Sequence, residues 1–367
     1  MQSKTTGRVW PWQAQQGFPW PGVRYFAGPE ALVTDSGAIL PEWQLVYEEW
    51  GSPEGMPVVI FHALTGDSHV AAHGAGDPPG WWNDVLGPDG GVDLDKYRVL
   101  CFNVLGGAMG STGPSSLAAD GRPWGSRFPA LTLFDMVRAA HFLMQAWSAQ
   151  PIRLIGGSMG GMMAYAYTAL YPEHVRAVMA IGAPIRHEPW AIAYHAVGRA
   201  AIFRDPAFRG GDYYDGPFPE LGLATARMAD MISYQHPRSM QQKFGRRRRG
   251  STVDDYEVVS YLTYQGNKLV SRFDANTYVT LTRAMDDFAL EWHHIERLKD
   301  ALVWMVGIES DLLYLPEEIE AHYQELVRAR IPTRLSWLKG PWGHDTFLVE
   351  QGQMSELIAA FLEETAR

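Results

Sequence analysis

Cysteine is nearly absent from this chain of 367 residues: Cys101 is the only one, so no internal disulfide can form. No apolar run approaches the ~20 residues that a membrane-spanning helix needs, and no charged-then-apolar segment typical of a signal peptide opens the sequence. Basic residues are fewer than acidic ones: the chain has 31 Lys and Arg and 41 Asp and Glu, which gives a formal net charge of −10. We therefore expect a cytoplasmic protein that is neither a nucleic-acid binder nor a membrane binder.

The composition is that of a globular protein, with 46% apolar and 20% charged residues. The first thirty residues are rich in Trp, Pro, Gly and Gln, which predicts an irregular arm. Residues 31–33 and 43–48 are predicted to form an antiparallel hairpin, with turn residues at 35–37. Cys101 lies in an apolar stretch, and we expect it to pack in the core.

Further along, short apolar runs alternate with segments of helical periodicity. This alternation indicates parallel strands joined by right-handed crossovers, hence an α/β fold with a mostly parallel central sheet and helices on both faces. Residues 185–296 interrupt this alternation of strands and helices, because they are polar, rich in aromatics and helical in pattern. We predict a core domain of residues 1–184 and 297–367, with a helical lid insertion of 185–296 over the carboxyl ends of the strands.

The strongest chemical signal is Gly156-Gly157-Ser158-Met159-Gly160-Gly161. It contains Gly-x-Ser-x-Gly between a predicted strand at 152–155 and a predicted helix. That context is typical of a nucleophile elbow, in which a sharp strand-to-helix turn presents a serine above the sheet. A glycine-rich turn capped by a serine is the ordinary alternative. We predict an α/β-hydrolase fold with Ser158 as the nucleophile.

On this fold the acid and then the histidine of a triad follow later strands. Asp311 follows the predicted strand 302–306, with Glu309 as a rival acid in the same loop. His344 follows the last predicted strand, 334–338, and alone among 12 histidines occupies that place. We predict that Asp311 orients His344, and that His344 serves as general base and acid.

Acyl transfer also needs hydrogen-bond donors for a developing oxyanion. On this fold the backbone N–H after the nucleophile supplies one, which assigns Met159. The loop after an early strand supplies the other, and the candidate is the N–H of Leu64. No cluster of acidic and histidine residues has recognised ligand spacing, so we expect no metal site and no permanently bound cofactor.

Beyond the elbow, the sequence resembles the homoserine O-acetyltransferase family of the α/β hydrolases from about residue 45 to the C-terminus. The resemblance rests on residues 62–69, 80–82, 103–107, 110–116, 156–161, 264–266, 272–276, 281–286, 310–313 and 343–345. One departure is Ala108, where the family pattern leads us to expect a cysteine.

The resemblance implies transfer of an acetyl group from acetyl-CoA to L-homoserine by a ping-pong mechanism, an early step of methionine biosynthesis. It also implies a helical lid and a homodimer. By motif position, Arg227 would bind the carboxylate of the amino acid, and Asp345 would bind its amino group. Lid surface charge and an exposed turn are the ordinary alternatives for these two residues. The run at 246–249, four arginines, is more readily a solvated loop than a site for CoA phosphates.

Other functions share parts of this pattern. Related enzymes use succinyl-CoA or serine, and Asp67 favours an acetyl donor only if it faces the acyl pocket. An ester hydrolase would use the same triad, with water as the acceptor. A catalytically silent scaffold is disfavoured, because Ser158, Asp311 and His344 occur in the order that catalysis requires.

Overall fold

The computed structural model describes residues 10–87, 89–252 and 255–366. The strands are β1 (Arg24–Ala27), β2 (Leu32–Val33), β3 (Ile39–Leu40), β4 (Gln44–Gly51), β5 (Met56–Phe61), β6 (Tyr97–Phe102), β7 (Ile152–Gly157), β8 (Val175–Ile181), β9 (Leu302–Ile308) and β10 (Thr333–Leu338). The helices are α1 (Pro11–Gln15), α2 (Leu133–Trp147), α3 (Met159–Leu170), α4 (Pro189–Arg204), α5 (Glu220–Tyr234), α6 (Pro237–Phe244), α7 (Glu257–Val270), α8 (Ala275–Asp286), α9 (Trp292–Ile295), α10 (Pro316–Arg328), α11 (Thr346–Val349) and α12 (Gln351–Thr365).

Eight strands form one sheet in the order β1-β4-β6-β5-β7-β8-β9-β10. The pairs β1/β4 and β4/β6 are antiparallel, and every later pair is parallel. The mostly parallel α/β sheet predicted from the alternating pattern is therefore confirmed. Because β7 to β10 run parallel as neighbours, their carboxyl ends meet at one edge.

The central strands β5 to β9 are buried on both faces of the sheet, which explains their continuous apolar runs. Along β5, Val59 and Phe61 pack on the face that also receives α2 and α3. Val58 and Ile60 point to the opposite face and pack with α12. Cys101 lies in this second cluster with no exposed surface, as expected.

The N-terminal part differs from the prediction. Residues 10–30 contain α1 and β1 rather than a wholly irregular arm. The predicted hairpin was wrong in its pairing, because β2 pairs with β3, and β4 joins the main sheet between β1 and β6. Alternating apolar residues show that a strand exists but not which strand it pairs with, and β3 is only two residues long.

Helices α4 to α9 lie between β8 and β9, within the segment predicted to be a helical insertion. Buried side chains of these helices, such as Leu223 and Tyr278, belong to the same apolar cluster as α3. No helix in the described parts of the chain is long and apolar enough to cross a membrane.

Candidate active site

Ser158 stands between the end of β7 and the first residue of α3, as the elbow motif predicts. Its backbone has φ 56° and ψ −125°, a conformation that costs energy for any residue with a side chain. The Ser158 amide donates to Ile181 O at 2.8 Å, which ties the turn to β8. A Cβ atom at Gly160 would lie 2.1 Å from Phe61 O, so only glycine lets α3 begin this close to β5. The sequence thus forces the sharp turn that places Ser158 at the carboxyl end of β7.

His344 and Asp311 meet at the same edge of the sheet, in the loops after β10 and β9. His344 Nδ1 lies 2.7 Å from Asp311 Oδ2, and both side chains are buried. The other oxygen, Asp311 Oδ1, accepts from the amides of Leu313 and Tyr314 at 2.8 and 3.2 Å. The carboxylate is thereby fixed, and it keeps the imidazole proton on Nδ1.

Glu309, the rival acid, is exposed, whereas Asp311 is not. The structure thus brings Asp311 to the imidazole and leaves Glu309 at the surface. His344 Nε2 is buried without a hydrogen-bond partner, so this nitrogen is available to accept a proton.

The electrostatic surroundings favour the protonated imidazole. Burial by itself lowers the pKa of His344, but the charge and hydrogen bond of Asp311 and the charge of Asp345 outweigh it. The net effect raises the pKa of His344 above its ordinary 6.5.

The two predicted oxyanion donors lie on adjoining turns. Met159 opens α3, and Leu64 lies in the loop after β5; both are buried. The contact of Gly160 with the end of β5 holds these turns together. The backbone amides of Met159 and Leu64 are placed as candidates for the same oxyanion.

Asp345 lies next to His344, and Arg227 lies close enough for its charge to act on Asp345. Asp345 follows His344 directly, and its Oδ2 accepts from Gln235 Nε2 at 2.7 Å. Burial raises the pKa of Asp345, and the charges of Arg227 and His344 oppose that shift. Arg227 lies on α5, with its guanidinium 5.2 Å from the centre of the Tyr234 ring and Nη1 buried without a hydrogen-bond partner. The structure therefore places a cation within electrostatic reach of the carboxylate that follows His344.

The loop that carries His344 packs directly under α5. Gly343 has φ 68°, and a Cβ atom there would lie 2.5 Å from Tyr234 O. Any larger residue would push the loop and the helix apart. This close packing fixes the position of the His344 loop relative to α5, the helix that carries Arg227.

Comparisons with known proteins agree with this geometry. Residues 56–350 match the model of the alpha/beta hydrolase fold. A curated relative from Symbiobacterium thermophilum, named homoserine O-acetyltransferase, is 45% identical over 360 residues, covering 92% of this chain and 94% of the relative. The chain belongs to the homoserine O-acetyltransferase family.

Solved structures show the same fold in transferases and hydrolases alike. Homoserine O-acetyltransferase from Bacillus anthracis superposes with a TM-score of 0.85 at 19% identity, over 93% of this chain and 97% of that one. Esterase E22 also gives 0.85, at 24% identity, over 93% and 99%. At these identities the likeness shows the fold alone, so the side chains of the cleft must distinguish acceptors.

Within the described residues, two groups of potential metal ligands are assembled from distant segments, although the spacing predicted no metal site: Glu48, His69 and His73; and His187, His195 and Asp286. In the first, His69 uses both nitrogens, Nδ1 at 2.8 Å from Glu48 Oε2 and Nε2 at 2.7 Å from Pro78 O. These contacts raise the pKa of His69 to about 9 against the opposing effect of burial. The geometry fits a protonated imidazole between two acceptors, which leaves no lone pair for a metal.

The arginine run is exposed, and some of its side chains contact neighbouring residues. Arg247 Nε lies 2.8 Å from Glu257 Oε2, and Arg248 Nη2 donates to the Tyr256 hydroxyl at 2.8 Å. A role toward CoA phosphates stays a prediction.

Two residues at the site, Arg272 and the buried Tyr314, were not predicted from the sequence. Arg272 donates to Thr65 O at 2.6 Å and so supports the loop that carries Leu64. Tyr314 lies edge-on to His344, with ring centres 5.2 Å apart. Arg272 lies in one of the segments resembling the family, and Tyr314 follows Asp311 by three residues, but neither position has a spacing rule that reveals its contact.

Replacing each of the two candidate acids by its amide tests the assignment of Asp311 as the acid of the triad. We expect Asp311→Asn to lower kcat by roughly three to four orders of magnitude, because the amide no longer fixes the imidazole tautomer. The matched change Glu309→Gln should leave kcat near that of the unmodified protein. The reverse pattern in steady-state assays would identify Glu309 as the acid.

The raised pKa of His344 predicts where activity is lost in acid. The base acts only when neutral, so kcat/KM should fall as the pH drops through a midpoint above 6.5. A pH profile of kcat/KM for an activated acetyl ester measures this midpoint. A midpoint below 6.5 would contradict the surroundings described for His344.

Proposed function

We propose that this protein transfers an acetyl group from acetyl-CoA to the side-chain hydroxyl of L-homoserine, through an acyl-enzyme on Ser158. In the first half-reaction Ser158 Oγ attacks the thioester carbonyl and its proton passes to His344 Nε2. The amides of Met159 and Leu64 stabilise the oxyanion. The carbon–sulfur bond then breaks, and the proton on His344 passes to the departing thiolate, releasing free CoA.

The second half-reaction runs through the same atoms. His344 accepts the proton of the homoserine hydroxyl while that oxygen attacks the acyl carbonyl of Ser158. Collapse of the intermediate returns the proton to Ser158 Oγ and releases the O-acetyl amino acid. Asp311 holds the imidazole in one orientation throughout.

The presence of both Arg227 and Asp345 at the site is the observation on which this proposal rests. An amino acid near neutral pH presents one carboxylate and one ammonium, and the site presents one guanidinium and one carboxylate beside the base. Guanidinium binds carboxylate in a fixed bidentate geometry, and the unpartnered Arg227 Nη1 is a donor for it. Two anchors would aim a short hydroxyl arm at the acyl group, whereas an esterase that uses water needs neither.

The choice of an acetyl donor rests on the family rather than on Asp67. Asp67 Oδ1 accepts from the His69 amide at 3.0 Å and so caps a turn. Burial raises the pKa of Asp67 to about 6, despite the nearby charge of Arg272. A carboxyl that caps a turn beside the charge of Arg272 is a weak barrier to a succinyl carboxylate. A succinyl donor and a serine acceptor are therefore the alternatives to be measured.

Residues 185–296 are proposed to act as the lid of this site, because α5 both carries Arg227 and packs on the loop of His344. The outer surfaces of α4 and α5 expose apolar side chains, including Val197, Leu221 and Ile232. Such a surface supports the proposed homodimer, which sedimentation velocity would detect. A cytoplasmic location follows from the proposed co-substrate, acetyl-CoA.

A matrix of two donors and two acceptors tests the reaction. Acetyl-CoA or succinyl-CoA is mixed with homoserine or serine, free thiol is followed, and the ester is identified by mass. We expect acetyl-CoA with homoserine to give the highest kcat/KM. Equal or faster turnover with succinyl-CoA would overturn the donor, and faster turnover with serine would overturn the acceptor. If free thiol is released at the same rate in the presence and in the absence of an amino acid, the protein is a hydrolase.

Removing Arg227 separates the two half-reactions. Arg227→Ala should still release CoA in a first-turnover burst, because acylation of Ser158 does not involve the amino acid. Transfer to homoserine should fall by roughly two or more orders of magnitude, the scale for loss of a buried charge partner. Stopped-flow thiol detection resolves the two steps.

The matched control is Arg204→Ala, an exposed arginine of α4 in the same segment. Arg204→Ala should leave both the first-turnover release of CoA and the transfer to homoserine unchanged. A lost burst with normal transfer from preformed acyl-enzyme would place Arg227 in the CoA site instead.

A further inference from the structure

His62 is a buried histidine at the end of β5, and the mechanism described so far gives it no part. Its Nδ1 lies 2.8 Å from Ala63 O, at the start of the loop that carries Leu64. Its Nε2 accepts from the amide of Val104, which follows β6, at 3.2 Å. Both ring nitrogens are therefore engaged with backbone groups.

These two contacts decide which nitrogen of His62 carries the proton. A backbone amide can only donate, so Nε2 has no proton when it accepts from Val104. The proton of the neutral ring therefore lies on Nδ1, which donates to Ala63 O. Burial lowers the pKa of His62 to about 4, against the opposing effect of the hydrogen bond to Ala63, so the ring is neutral near pH 7.

The acceptor, Ala63 O, belongs to the same peptide unit as the Leu64 N–H, the candidate oxyanion donor. A trans peptide is planar, so its C=O and N–H point in opposite directions, and a hydrogen bond that fixes one also fixes the other. Ala63 O accepts a second hydrogen bond, from the amide of Gly66, at 2.8 Å. Donation to the C=O also polarises the peptide and strengthens its N–H as a donor.

The turn formed by residues 63–66 packs closely on His62. A Cβ atom at Gly66 would lie 2.9 Å from His62 Cβ, so a glycine is needed for the turn to close this tightly. In the same turn Arg272 donates to Thr65 O at 2.6 Å. Arg272 thus holds a later peptide of the turn, whereas His62 holds the peptide that contains the oxyanion donor.

We propose that His62 is a positioning residue that aims the Leu64 N–H at the oxyanion formed during acylation and deacylation of Ser158. The proposal rests on the proposed function, because Ser158 must be the nucleophile. His62 exchanges no proton with either substrate. It keeps the Leu64 N–H directed at the place where negative charge develops, so the loop does not have to reorganise in the transition state.

Two substitutions of nearly equal shape test this role. The amide nitrogen of His62→Asn takes the place of Nδ1 and can donate to Ala63 O, whereas His62→Leu has no donor. We expect His62→Leu to lower kcat by roughly one to two orders of magnitude, somewhat less than the loss of an oxyanion donor itself. KM for acetyl-CoA should change little, because the interaction is made in the transition state. His62→Asn should recover most of the lost kcat.

Inhibitor binding separates positioning from a general loss of stability. A trifluoromethyl ketone adds to Ser158 as an oxyanion, so its affinity should fall in His62→Leu by the same factor as kcat. The Kd of free CoA should not change, because CoA carries no acyl carbonyl. Melting curves of each variant report folding.

The matched control is His141→Leu. His141 is a half-buried histidine of α2, with a pKa also lowered to about 4 and with Nδ1 2.8 Å from the Tyr167 hydroxyl. It should lower the melting temperature and leave kcat and the affinity for the ketone unchanged.

An unchanged kcat in His62→Leu would overturn the positioning role, as would an equal loss in His62→Asn or in His141→Leu. Nitrogen-15 spectra of the unmodified protein test it without any variant: the proton of His62 should lie on Nδ1, and a proton on Nε2 would overturn the proposal. Failure of the unmodified protein to acylate Ser158 would instead overturn the proposed function, so the two failures give different results.

Discussion

The close contact between the start of α3 and the end of β5 is the constraint on which the rest of the site depends. Gly160 lies so near Phe61 O that no side chain fits between them. This contact compresses the strand-to-helix turn, puts Ser158 at φ 56° and brings the turn of Met159 against the loop of Leu64. The strain at Ser158 is offset by the buried apolar contacts of β5, β7 and α3.

Hydrogen bonds, rather than the backbone, then decide where the reactive protons lie. Asp311 Oδ2 lies 2.7 Å from His344 Nδ1 and fixes the orientation of the imidazole. The other ring nitrogen, His344 Nε2, is buried without a hydrogen-bond partner and is therefore available to accept a proton. Asp345 and Arg227 add the charges that fit an amino acid.

Local patterns were enough to predict the sheet, the elbow and the candidate triad residues, because strand order puts the loops after β7, β9 and β10 at one edge. The positions of Asp311 and His344 after late strands carried that inference. The pairing of β4 and the existence of β1 were missed, since partner choice depends on contacts far along the chain. The contact of Arg272 with the loop of Leu64 and that of Tyr314 with His344 were missed for the same reason, because each joins segments with no shared motif.

In the proposed reaction the acyl group is held on Ser158 after CoA leaves and before homoserine reacts. Intact-protein and peptide mass spectrometry after mixing with acetyl-CoA alone tests it most directly. We expect one added acetyl group on the peptide that contains Ser158, and loss of that group when homoserine is added, with formation of the O-acetyl amino acid. Release of CoA only when homoserine is present, with no acetylated peptide at any time, would contradict it.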